Sequence, residues 1–132
     1  DRVSQLRAAL GDKFTIMSGD DSLTLPFMAV GAQGVISVAS NVIPREVAQM
    51  VKAFATGKTA TARKLHAKYY PLFKDLFIET NPIPVKALLA LNGIGFGLRL
   101  PLQPLSSLHA AEAQRLHADI LQLEQRCRLH AA

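Results

Sequence analysis

Two carboxylates stand side by side in the segment Ser18-Gly19-Asp20-Asp21. Adjacent side chains diverge, so this pair does not straddle a bond to be cleaved as two hydrolytic carboxylates do. Asp20 could hydrogen-bond to a substrate or order a loop, and both residues suit a turn or the N-cap of a following helix. Gly19 has no Cβ, which allows a substrate or another backbone to approach closely. His66, His109, His117 and His130 are scattered over helical segments. His109 and His117 could share a face, but no third ligand stands beside them, so no metal site is expected. Cys127 lies on an apolar stripe and reads as a small buried hydrophobe. The run Gly93-Ile94-Gly95-Phe96-Gly97 has the glycines of a dinucleotide loop without its spacing or preceding strand, so no cofactor is expected.

The elements that must position these residues follow from periodicity. Val3, Leu6 and Leu10 predict a first helix ending near Gly11. Residues 13–17 predict a strand that delivers Ser18-Gly19-Asp20-Asp21. Residues 23–30 predict a short helix with Ser22 or Thr24 as cap and Pro26 in its first turn. The run Gly34-Val35-Ile36-Ser37-Val38 is apolar on both faces, the pattern of a parallel strand covered by helices. Pro44 opens a helix carrying Val47, Met50, Val51 and Phe54, and Gly57 closes it. A long helix over residues 59–79 is expected to kink at Pro71. Asn81-Pro82-Ile83-Pro84 reads as a rigid connector to a helix over residues 85–92. The glycines at 93, 95 and 97 break that helix, and an extended crossing segment leads to a last helix starting near Ser106 or Ser107. Ala113, Leu116, Ile120, Leu123 and Cys127 form its packing stripe. The natural boundary falls at Gly57-Lys58, giving residues 1–57 with the strands and residues 58–132 as a helical region.

Length and composition narrow the function. The chain has 132 residues, 49% hydrophobic and 19% charged, which is enough for about one packed domain and unlike a disordered segment. Its longest apolar stretches fall far short of the roughly 20 residues of a membrane span. The net charge of +5 is dispersed with no basic arm, so nucleic acid is not the expected partner. One cysteine cannot form an internal disulfide and fits a reducing compartment, so a cytoplasmic location is expected. Asp1-Arg2-Val3-Ser4 has neither an initiator Met nor a signal peptide, and the expectation is that residues precede it in the native protein.

Four segments taken in order, Met17-Ser18-Gly19-Asp20-Asp21, Gly34-Val35-Ile36-Ser37-Val38-Ala39-Ser40-Asn41, Asn81-Pro82-Ile83-Pro84-Val85-Lys86 and Leu98-Arg99-Leu100-Pro101-Leu102, closely resemble the dihydrodipicolinate synthase family. The likeness runs from Arg2 to about Ser106. N-acetylneuraminate lyase, of the same aldolase superfamily, matches the Asn-Pro-Ile-Pro-Val-Lys stretch less well. The resemblance implies an α/β fold: the carboxyl-terminal part of a TIM (β/α)8 barrel, two parallel strands with their helices, followed by an all-helical region. It implies a parent lyase, usually a homotetramer, that condenses pyruvate with aspartate semialdehyde through a lysine Schiff base on the way to diaminopimelate and lysine. A complete barrel needs roughly 250 residues. By resemblance, Ile36 presents its backbone carbonyl to the keto acid, and Gly19 and Asp20 lie at the same rim.

An imine-forming lysine must be partly desolvated and aimed into the pocket from the catalytic end of a strand. None of Lys13, Lys52, Lys58, Lys64, Lys68, Lys74 and Lys86 meets that condition, and Tyr69 and Tyr70 lie on the wrong element to replace the family's relay tyrosine. The chain alone is therefore expected to supply pocket wall without catalysing the reaction. The competing reading is a non-catalytic helical interaction module that docks through the amphipathic helices around residues 65–77 and 116–127.

Overall fold

The first helix, α1 (Arg2–Leu10), ends where Gly11 turns to φ +67. It buries Val3 and leaves Leu6 and Leu10 exposed, so its stripe is only partly covered. The computed structural model describes residues 1–95 and 97–129, with side chains of the last helix described through residue 122. The expectations on Phe96 and His130, and on the side chains of Leu123 and Cys127, lie outside the described residues. The chain divides into two compact units, Asp1–Lys74 and Asp75–Ala132. The compositional break at Gly57-Lys58 separates two helices inside the first of these.

In the first unit, β1 (Met17–Ser18) and β2 (Gly34–Val35) pair in parallel, with Met17 opposite Gly34 and Ser18 opposite Val35. Both strands are shorter than their apolar runs predict. A ladder exists only where two backbones meet, and among the described residues each strand has one neighbour. Upstream, the Gln33 amide donates to the Ile16 carbonyl at 2.8 Å. The Gln33 side-chain oxygen accepts the Ile16 amide at 2.9 Å, so a side chain serves as the next rung. Between the strands runs α2 (Thr24–Ala29), with Pro26 in its first turn. Leu23 is its N-cap without a side-chain bond, so neither Ser22 nor Thr24 caps it as expected.

After β2 a 3-10 turn (Ala39–Asn41) leads to α3 (Pro44–Ala55), which buries Val47, Met50 and Ala53. Pro44 at its start loses no intrahelical bond there. The helix α2 and the 3-10 turn both pack on α3. Val3, Ile16 and Ala32 form a small core beside α1 with Phe27 against it. The Arg7 guanidinium ties this end of the unit together. It donates to the carbonyl oxygens of Gly11 at 2.8 Å, Phe14 at 3.0 Å, and Gly31. Gly57, at φ +76, separates α3 from α4 (Thr59–Asp75), which contains Pro71 and ends before the residue 79 its periodicity suggested.

The second unit carries α5 (Ile83–Leu91) and α6 (Ser107–Leu129), which pack on each other. Pro84 sits in the first turn of α5. Leu88 from α5 is buried, and so are Ala113, Leu116 and Ile120 from α6, the described part of the stripe that the sequence predicts for the last helix. The Glu79 carboxylate accepts from the Ser106 hydroxyl at 2.6 Å and amide at 3.1 Å just ahead of α6. The Ser106 hydroxyl bond holds the Glu79 carboxyl below its ordinary value of 4.5.

Candidate functional site

Parallel strands deliver their following loops to one end of a sheet, which is why sites on such folds collect at the carboxyl ends of strands. Gly19 follows β1 directly and Ile36 follows β2 directly. The Ile36 amide donates to the Ser18 carbonyl at 2.8 Å, extending the ladder one step beyond Val35. Gly19 and Ile36 are therefore side by side at a common rim. Gly19 is exposed, and a Cβ built on it would meet nothing within 4 Å. The Ile36 side chain is 71% exposed, so its backbone rather than its side chain is fixed by the fold.

The β1 loop is organised by its polar groups. Ser18, fully buried, donates its hydroxyl to the Asp20 carbonyl at 2.8 Å and accepts the Asp20 amide at 3.1 Å. The exposed Asp20 carboxylate accepts from the Ser22 amide at 2.9 Å and hydroxyl at 2.8 Å, an Asx-type turn. Buried Thr24 donates its hydroxyl to the Asp20 carbonyl at 3.3 Å. Asp20 thus acts as a turn residue while standing at the rim beside Gly19.

Asp21 points the other way. It is 2% exposed, and its Oδ2 accepts the amides of Val38 at 3.1 Å and Ala39 at 3.0 Å. One carboxylate therefore bridges the loop after β1 and the loop after β2. Among the described residues no donor reaches its Oδ1. The β2 loop has further internal bonds. The Ser37 hydroxyl accepts the Ser40 amide at 2.8 Å, and the Asn41 side chain donates to the Val38 carbonyl at 3.0 Å. A single sequence offers an adjacent Asp pair after a strand but no sign of a partner 17 and 18 residues on.

All seven lysines are exposed, and none follows β1 or β2. Tyr69, buried, and Tyr70, exposed, are both on α4, with the Lys68 ammonium 5.1 Å from the Tyr69 ring centre. His66 is partly buried against Tyr70 and Phe73, with ring centres 6.0 and 5.9 Å away. Its Nδ1 is buried without a partner among the described residues, and burial holds its pKa below 6.5. Among the described residues no three His, Cys, Asp or Glu side chains are grouped to hold a metal ion. No described helix is long and apolar enough to cross a membrane. A cleft of about 400 Å³ runs between β2 and α3, lined by Met17, Gly34, Val35, Val47, Val51 and other residues, but it includes none of Gly19, Asp20 and Ile36.

Comparison with known proteins places this geometry in context. The Dihydrodipicolinate synthetase family matches over residues 1–123. The 4-hydroxy-tetrahydrodipicolinate synthase of Synechococcus elongatus is 55% identical over 108 residues, covering 81% of this chain and 36% of that protein. That of Thermomicrobium roseum is 52% identical over 121 residues, 91% of this chain and 39% of the relative. The solved structure of the 4-hydroxy-tetrahydrodipicolinate synthase from Methylacidiphilum fumariolicum SolV superposes with a TM-score of 0.88 at 51% identity, covering 92% of this chain and 41% of that one. Dihydrodipicolinate synthase from Aquifex aeolicus gives 0.85 at 48%, covering 88% and 40%. The chain spans little more than a third of the length of the curated relatives it matches.

Proposed function

Because the chain belongs to the dihydrodipicolinate synthetase family, we propose that it forms the carboxyl-terminal part of a (β/α)8 synthase that condenses pyruvate with aspartate semialdehyde through a lysine Schiff base. Residues 1–57 supply the last strands and helices of the barrel, and residues 58–132 the helical region that follows. The complete enzyme is a cytoplasmic homotetramer serving diaminopimelate and lysine biosynthesis.

The observation that carries this reading is the adjacency of Gly19 and Ile36 at the carboxyl ends of two parallel strands. A backbone carbonyl at that rim is an acceptor held without reorganisation, able to orient a hydroxyl or protonated nitrogen of the bound keto acid. Gly19 leaves room for the substrate, and Asp20 faces the second substrate while its carboxylate orders the turn through Ser22. The nucleophile is supplied from elsewhere. An imine-forming lysine must be partly desolvated and aimed into the pocket, and all seven lysines here are exposed.

The test is borohydride trapping with pyruvate. The chain by itself is expected to give no covalent adduct. A chimaera in which residues 1–132 replace the matching segment of the Aquifex aeolicus enzyme is expected to give a stoichiometric adduct and to turn over aspartate semialdehyde. An adduct on the chain alone would overturn the missing nucleophile, and a folded chimaera without one would overturn the pocket assignment.

A further inference from the structure

We propose that Asp21 is the positioning residue of this pocket, holding the Ile36 carbonyl in line by clamping the β2 loop to the β1 loop. The inference rests on the functional reading above and concerns a residue that reading does not use.

Three observations converge on it. First, the Ile36 peptide is pinned from both sides. On its amino side the Ile36 amide is bonded to the Ser18 carbonyl at 2.8 Å, and two and three residues later Val38 and Ala39 donate to the Asp21 carboxylate at 3.1 and 3.0 Å. Between those anchors lie only the Ile36 and Ser37 carbonyls and the Ser37 amide. Second, the anchor is buried: Asp21 is 2% exposed and Ala39 is fully buried, so water is kept from the Ala39 bond, while the Val38 bond is half-buried. Amide bonds to a charged acceptor are roughly twice as strong as neutral ones. Third, Asp21 keeps Oδ1 buried with no donor among the described residues. A buried unpaired polar atom is costly, and a turn residue needed only to cap the 3-10 turn would be satisfied by a smaller side chain. The exposed neighbour Asp20 shows the contrast, since its bonds stay inside its own loop.

The chemistry that follows is one of aim. The Asp21 carboxylate touches no substrate and moves no proton. It sets where the Ile36 oxygen stands relative to Gly19, two residues before it in the sequence. Misplacing such an acceptor by about an ångström weakens binding of the keto acid before it affects later steps.

The experiment uses the Aquifex chimaera described above with Asp21→Ala and Asp21→Asn. For Asp21→Ala, KM for pyruvate is expected to rise about tenfold with kcat changed less than about threefold, and amide exchange at Val38 and Ala39 to accelerate by a similar factor. Asp21→Asn keeps one acceptor of the same shape and is expected to recover most of both losses. It also serves as the folded variant should Asp21→Ala not fold. Exchange at Val38 and Ala39 unchanged in Asp21→Ala, or accelerated with KM for pyruvate unaltered, overturns the proposal; so does an Asp21→Asn protein no better than Asp21→Ala. Absence of an adduct in the unsubstituted chimaera strikes the functional reading first and this inference with it, so the two failures are told apart.

Discussion

Ile36 and Ser18 are joined by a 2.8 Å hydrogen bond from amide to carbonyl, one step past the last paired residues of the two strands. The bond makes Ile36 a residue whose backbone is fixed and whose side chain is free, at 71% exposure. In the isolated chain, Ile36→Ala is therefore expected to change stability by less than about 0.5 kcal/mol. Ile36→Pro removes the donor and should cost about 1–3 kcal/mol. Urea titration of the two variants measures the difference, and equal effects would mean that the side chain carries the packing.

Arg7 provides a second contrast. Its guanidinium serves three carbonyl oxygens, those of Gly11, Phe14 and Gly31, while its contact with the exposed Asp12 is a loose 4.0 Å pair. Arg7→Met should destabilise the first unit by about 2 kcal/mol, and Arg7→Lys should restore only part of that, because an ammonium cannot match the fork. Asp12→Ala should be silent within error, as exposed ion pairs generally are. Denaturant midpoints decide between them.

The buried Nδ1 of His66 and its lowered pKa predict a pH effect with a definite sign. The unfolded histidine takes up its proton near 6.5, while the folded one does so only at lower pH. Stability is thus fully present above 6.5 and is lost as pH falls through the folded value. Glu79 acts only below 4.5, since its carboxyl is also held low. Thermal melting followed between pH 6.5 and 4.5 should fall in the unsubstituted chain and flatten in His66→Phe. A slope of the same size in both would place its origin elsewhere.

Helices α3 and α6 were legible because Val47 and Met50, and Leu116 and Ile120, recur at helical spacing and are buried where they fall, and α5 because Pro84 opens it and Gly93 follows its end. The rim was legible for a different reason. Two small-residue turns follow two apolar runs, and parallel pairing of Met17 with Gly34 carries both turns to the same end. Strand length was not legible, because a strand ends where its hydrogen-bond partner ends, and residues 13–16 and 36–38 have the composition of strands without a second neighbour here. The bridge that Asp21 makes between the two loops was hidden for a related reason. Its partners Val38 and Ala39 contribute only backbone amides, which have no signature in the side-chain sequence.

The same one-sided pairing makes a prediction about residues 1–57 taken alone. Phe14, Met17, Leu23, Val30 and Ile36 are each at least 40% exposed in the unit that holds the strands. Strand edges with apolar side chains beside them are templates for further pairing, and no charged side chain interrupts Gly34-Val35-Ile36-Ser37-Val38. A piece comprising residues 1–57 is therefore expected to self-associate, with sedimentation showing species larger than a monomer that grow with concentration. Introducing a charge at the rim, as in Ile36→Lys, should reduce that association more than the same change at Leu10, which is exposed on α1 and outside the strands. A compact monomer at all concentrations would mean that these edges are self-limiting and need no further strands to cover them.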